Sequence, residues 1–251
     1  MLARVEVGLF VPCYVDQLAP GVALAAAAVL ERTGCRVVYE PEQTCCGQPL
    51  LNLGAGREAT RLARAHLARF ARFDAVVCPS ASCVATVRAH FGELGVGLDE
   101  AGRRARARTF ELGEFLVRSL GRTELGARFP HRVALLESCH GLRELGLGTP
   151  SEALGRGDEG PTRALLRAVA GLELRLPERD ECCGFGGAFA VEFPTVSARM
   201  GEARLRELAA TGAEFVTATD WSCLAHLEGL RRRGVPGPRA IHLAEILASV
   251  A

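Results

Sequence analysis

Two copies of Cys-Cys-Gly, at Cys45-Cys46-Gly47 and Cys182-Cys183-Gly184, limit what this chain can fold into more than any other feature. Segments 34–47 and 171–184 align without a gap at an offset of 137 residues. Other residues recur at similar offsets. Cys13 and Cys139 are 126 apart, Cys83 and Cys223 are 140 apart, and Glu114 and Glu245 are 131 apart. Cysteines and a glutamate returning together imply one unit built twice, over 1–125 and 126–251. The offset is too long for a solenoid, whose repeats run about 20–50 residues. The 251-residue length suits two such units.

Each unit has the same pattern of elements. Short apolar runs rich in β-branched residues read as strands at 5–11, 35–40 and 74–78, then at 132–137, 172–176 and 214–218. Helical patterns fall at 18–32, 56–73, 84–91 and 109–120, then at 161–170, 194–211 and 240–250. Residues 92–108 carry no clear pattern, and 142–160 read as a glycine-rich loop. Strands alternating with helices imply parallel strands joined by right-handed crossovers. The expected fold class is α/β: two duplicated three-layer units with short parallel sheets. All three strands of a unit then end on one edge, where open α/β sheets bind ligands.

The cysteines fall at those strand ends. Cys13, Cys45, Cys46 and Cys83 follow the three strands of the first unit; Cys139, Cys182, Cys183 and Cys223 follow those of the second. Two sets of four thiols are therefore expected in two loop clusters. Cys35 and Cys78 instead read as small core residues. Four thiols suit an iron–sulfur cluster, a structural zinc ion or a redox-active thiol set. Among the eight strand-end cysteines no two have the spacing of a zinc knuckle, and directly adjacent side chains diverge. Diverging thiolates suit a cluster better than a single ion, so iron–sulfur is favoured, with zinc and thiol chemistry left open. The glycines beside each pair, Gly47, Gly184, Gly186 and Gly187, let backbone N–H groups approach cluster sulfurs.

Composition excludes other classes. The net charge of +1 gives no general case for nucleic acid or an anionic membrane. All 30 basic residues are Arg, and runs such as 103–106 and 231–233 read as solvated helix surface. The longest apolar helical run, 22–30, is too short for a transmembrane segment, which needs about 20 residues. A strand begins almost at once, so no signal peptide is expected, and ten cysteines in a helix-and-strand chain point to the cytoplasm.

Taken together, these motifs resemble the cysteine-rich CCG domain family. Its pattern is Cys, a long gap, Cys-Cys-Gly, a second long gap and Cys-x-x-Cys. The gaps here are 31 and 35 residues in the first half, and 42 and 38 in the second. The family includes the cysteine-rich component of heterodisulfide reductase and the iron–sulfur subunits of glycolate and glycerol-3-phosphate oxidising enzymes. Cys45-Cys46-Gly47-Gln48-Pro49, Ser82-Cys83, Cys182-Cys183-Gly184-Phe185-Gly186-Gly187, Ser222-Cys223-Leu224 and His242-Leu243-Ala244-Glu245-Ile246-Leu247 are most similar to its members in bacterial lactate utilization.

The resemblance implies a cytoplasmic iron–sulfur subunit of a system oxidising L-lactate to pyruvate. It would carry one cluster per half, of the [4Fe–4S] type, and work with a ferredoxin-like iron–sulfur protein and a third subunit. The alternatives are a heterodisulfide-reductase-like subunit that reduces a disulfide and a glycolate oxidase-type iron–sulfur subunit. The final Cys-x-x-Cys is degenerate in both halves, as Cys83-Val84-Ala85-Thr86 and Cys223-Leu224-Ala225-His226. That loss weighs against disulfide chemistry, which in heterodisulfide reductase uses a fifth thiolate. Cys78 and His226 are candidate substitutes. Neither a dinucleotide motif nor a convincing catalytic base is evident, so electron transfer is the expected role. Of the remaining candidates, His140 reads as a loop cap and His242 as packing. Trp221 reads as a shield over a cluster and Phe185 as a lid over the second site. Glu114 and Glu245 read as one structural contact made twice.

Overall fold

The computed structural model describes residues 5–153 and 157–250. Strands β1 (Glu6–Leu9), β2 (Arg36–Tyr39), β3 (Ala75–Cys78) and β4 (Thr109–Glu111) form one sheet. Strands β5 (Arg132–Leu135), β6 (Glu173–Arg175), β7 (Phe215–Ala218) and β8 (Arg239–His242) form the other. Every pairing is parallel, and the orders match: β2-β1-β3-β4 and β6-β5-β7-β8. The duplicated α/β architecture is thus present, with four strands per sheet where the sequence pattern shows three.

The fourth strands were hidden inside predicted helices. β4 occupies the start of 109–120 and β8 the start of 240–250, and each passes directly into a helix. Glu111 ends β4 and caps the next turn: its carboxylate accepts from Glu114 N at 3.0 Å, and Glu114 accepts from Glu111 N at 3.4 Å. His242 does the same after β8, with Nδ1 accepting from Ala244 N at 3.1 Å and Glu245 from His242 N at 2.9 Å. The recurring glutamates are capping-box residues, each satisfying an N–H that a helix start leaves free. The longest helices left unassigned in the sequence pattern are Glu100–Ala107, capped by Asp99, and Trp221–Arg232. Residues 154–156 of the expected loop 142–160 lie outside the described residues.

Strand alternation sorts the core into layers. Val7, Leu9, Ala75 and Val77 of the first sheet share one apolar cluster with Val133 and Leu135 of the second. Val76 and Cys78 face an outer cluster with Phe10, Phe70 and Phe91. Ala134, Val216 and Ala218 face another with Leu205, Leu224 and Leu227. The shared layer is closed by an exchange of helices. Leu243–Ala248 packs on Pro20–Arg32, and the turns Leu112–Glu114 and Phe115–Ser119 pack on Gly160–Arg167. Each half's last helix therefore lies on the other half. Arg32 fastens the exchange, donating to the carbonyls of Leu125, Leu247 and Ala248 at 3.0, 3.1 and 2.8 Å.

Candidate metal centre

In both sheets the strand order reverses between the two central strands, β1 and β3 or β5 and β7. A crevice opens at the carboxyl edge of such a switch point. The eight thiols gather there. Cys13 begins the helix Cys13–Leu18 after β1, and Cys83 lies in the first turn of Ala81–Ala85 after β3. Cys139 directly precedes the π-helical turn His140–Glu144 after β5, and Cys223 lies in the first turn of Trp221–Arg232 after β7. These four sit at helix starts rather than in loops. A helix N-terminus presents free N–H groups and a positive dipole end, which favour a thiolate.

Cys45-Cys46 and Cys182-Cys183 come from the loops after β2 and β6. Gly47 has φ +89° and Gly184 has φ +86°, in the left-handed region that glycine adopts without strain. The turn aims backbone donors back at sulfur. Gly47 N lies 3.4 Å from Cys45 Sγ, and Gly184 N lies 3.4 Å from Cys182 Sγ. Phe185 N adds a contact of 3.5 Å to Cys183 Sγ. Ser197 holds the second loop by donating to Gly184 O at 2.7 Å.

The thiols touch within each set. Cys13 Sγ is 3.6 Å from Cys45 Sγ, and Cys46 Sγ is 3.5 Å from Cys83 Sγ. In the second set Cys182 contacts Cys139 and Cys183, and Cys183 contacts Cys223. Both sets distribute charge alike. Hydrogen bonds from Cys13 and then Cys46, with the Gly47 N–H, pull the Cys45 thiol down to about 3. Bonds from Cys139 and then Cys183, with the Gly184 N–H, lower Cys182 in the same way. The donors are pushed up: Cys13 and Cys46 first by bonding Cys45, Cys139 and Cys183 first by bonding Cys182. In each set the first cysteine of the pair is thus the one drawn towards the thiolate.

All eight thiols line one cavity of about 110 Å³, so the two sets face a common cleft. Its other walls include Gln48, Asn52, His140, Phe185, Asp220 and Trp221, and the loop glycines Gly186 and Gly187. His140 is not a loop cap. Its Nε2 lies 3.0 Å from the Gln48 amide nitrogen and 3.4 Å from a Glu144 carboxylate oxygen, and its Nδ1 lies 3.7 Å from Cys139 Sγ. Phe185 crosses to the first half and meets Tyr14 edge-on, with ring centroids 5.6 Å apart, so it covers the joint cleft. Trp221 lines the cleft and also packs against two core clusters.

Cys78 is fully buried behind the first set and contacts Cys83, with burial pushing its thiol up. His226 donates to Ser197 O at 3.3 Å and lies outside the cavity lining. His242 is buried and neutral, burial lowering it to about 4, and Nε2 donates to Thr219 O at 3.1 Å. Cys35 lies in the shared core.

The residue that the sequence pattern did not single out is Asp220. It is buried on the cleft wall, and its carboxylate gathers serines from both halves. Oδ1 accepts from Ser80 Oγ at 2.7 Å, Ser82 Oγ at 2.8 Å and Ser82 N at 3.1 Å. Oδ2 accepts from Ser138 Oγ at 2.5 Å and Thr219 Oγ1 at 3.5 Å. The duplication held the only signal: at the Cys83/Cys223 offset of 140, Asp220 is the counterpart of Ser80.

The CCG cysteine-rich domain model matches residues 7–88 and 133–228, one copy on each half. The chain belongs to the CCG cysteine-rich domain family. Among curated relatives, lactate utilization protein A of Exiguobacterium sp. is 38% identical over 249 residues, covering 96% of each chain. Lactate utilization protein A 1 of Bacillus mycoides is 34% identical over 247 residues, again with 96% of each covered. Among solved structures, a hypothetical protein from Helicobacter pylori aligns with a TM-score of 0.61 at 13% identity. That alignment takes in 98% of this chain and 48% of the other, a likeness of fold. The cysteines of this CCG chain supply the donor chemistry of thiolate ligation. Among the described residues no group of three His, Cys, Asp or Glu is arranged to hold a metal ion, and no helix is long and apolar enough to cross a membrane.

Proposed function

We propose that this chain is the iron–sulfur electron-transfer subunit of a bacterial system that oxidises L-lactate to pyruvate. The observation that carries the proposal is the pair of four-thiol sets facing one cleft. Two arrays of four sulfurs, buried or half-buried apart from Cys182, fit thiolate-held clusters in number and chemistry. Their end-to-end arrangement suits several metal atoms better than one ion. Cys13, Cys45, Cys46 and Cys83 would hold one cluster, and Cys139, Cys182, Cys183 and Cys223 the other, both of the [4Fe–4S] type. Such clusters, when bound, supply one-electron storage.

The chain's own residues set the conditions. Helix starts and the Gly47 and Gly184 N–H groups stabilise negative sulfur, while Gly186 and Gly187 let the second loop fold over the cleft. Phe185, Tyr14 and Trp221 limit the access of water. The relatives' names support lactate as the substrate; the partners in this reading, a ferredoxin-like iron–sulfur protein and a third subunit, and the cytoplasm rest on the family resemblance alone.

Anaerobic purification tests this reading. The protein should be brown and carry about eight irons with matching acid-labile sulfide. Cys182→Ser should lose about half of both and keep the first set loaded. Stoichiometric zinc in a colourless protein would overturn the cluster assignment. Lactate oxidation by the isolated chain would overturn its assignment as an electron-transfer subunit.

A further inference from the structure

We propose that Asp220 is a positioning residue shared by both thiol sets, joining the two centres into one coupled unit. Asp220 occupies the N-cap position of Trp221–Arg232, the helix that carries Cys223, yet its side chain makes no capping bond there. An N-cap aspartate ordinarily bonds the N–H groups of its own first turn. Here the carboxylate is turned to the starts of two other thiol-bearing turns. Ser80, which it binds through Oγ, caps the Cys83 helix by accepting from Cys83 N at 3.3 Å. Ser138, bound to the other oxygen, accepts from Gly141 N at 3.4 Å in the turn that follows Cys139. One carboxylate thereby fixes the turns bearing Cys83 of the first set and Cys139 of the second, from the foot of the Cys223 helix.

The charge of this group matters as well as its bonds. Asp220 is 2% exposed, and among the described residues it makes no ion pair. A buried carboxylate without a countercharge persists only when hydrogen bonds replace its lost water. Ser80, Ser82, Ser138 and Thr219 provide them. The negative charge acts on Cys139 of the second set and on Cys78, which touches Cys83 of the first. A fixed negative charge beside both sets opposes the addition of an electron to either centre. Net charge is among the levers that set the potential of such centres.

The potential measurement rests on the iron–sulfur reading above; the exchange measurement does not. In Asp220→Asn the shape stays and the charge goes. Redox titration of the loaded variant, followed by electron paramagnetic resonance, should show both midpoint potentials raised. A loaded, folded Asp220→Asn that shifts neither centre, or only one, overturns the proposal. Ser82→Ala provides the second test, on metal-free protein, because it removes one arm and leaves the charge. Amide hydrogen exchange should speed up in Ala81–Ala85 and also across the cleft, in His140–Glu144 and the first turn of Trp221–Arg232. Faster exchange confined to Ala81–Ala85 would mean that Asp220 does not couple the halves.

Discussion

At the scale of single residues, each Cys-Cys-Gly divides its work among three positions. The first cysteine is the thiol lowered by its neighbours' bonds, the second sits deeper, and the glycine turns the backbone so that its N–H meets the first sulfur. The two glycines are not equally constrained. A Cβ on Gly47 would find its nearest neighbour, Ala59 Cα, at 3.7 Å, an ordinary contact. A Cβ on Gly184 would meet Met200 Cβ and Ser197 O, both at 2.7 Å. Gly47→Ala should therefore cost only the left-handed backbone penalty, about 1–2 kcal/mol. Gly184→Ala should cost that and an overpacking penalty of about 1–3 kcal/mol. Urea denaturation of the metal-free proteins checks the order, and equal losses would sink the steric argument. The cysteines were legible in the sequence because thiol chemistry does not depend on packing. Asp220 was not, because an aspartate before a helix reads as an ordinary cap, and only the fold shows its carboxylate facing the other half.

At the scale of elements, the sequence pattern located six of the eight strands and placed the thiols after them. β4 and β8 escaped because no loop separates them from the next helix, so each read as the start of a helical pattern. The helix Trp221–Arg232 left a usable trace, since its buried Leu224, Leu227 and Leu230 recur every three residues. Its start matters most to the site: Cys223 rides on a helix N-terminus, where the sequence suggested a loop. The capping boxes settle how the paired glutamates act. Removing the second box with Glu245→Ala should lower stability by about 1 kcal/mol, as lost caps do. Iron content should not change, because the carboxylate serves the His242 N–H and is absent from the cleft wall. A folded Glu245→Ala that loads no iron would show instead that this glutamate serves the centre.

For the molecule as a whole, the repeat visible in the sequence and the unit that folds need not coincide. The boundary between 1–125 and 126–251 is drawn where the pattern starts again. The packing crosses it in both directions, through the exchanged closing helices and the Arg32 bonds to Leu247 and Ala248. Val7, Leu30 and Leu116 of the first half share one cluster with Leu135, Leu165 and Ile246 of the second. Separating the halves would strip this layer and expose fully buried leucines, each worth about 1.5–3 kcal/mol of burial. Marginal stability leaves no reserve for such a loss, since folded proteins hold only about 5–15 kcal/mol in total. Fragments 1–125 and 126–251 should therefore be largely unfolded when expressed alone. Mixed together, they should regain helical circular dichroism and a single cooperative thermal transition, because the missing helix of each is supplied by the other. Cooperative unfolding of either fragment alone, at the temperature of the intact chain, would show two independent domains. The thiol sets would then be neighbours by docking alone. Failure of the lone fragments, with recovery on mixing, would make the cleft between the sets a product of one folding event.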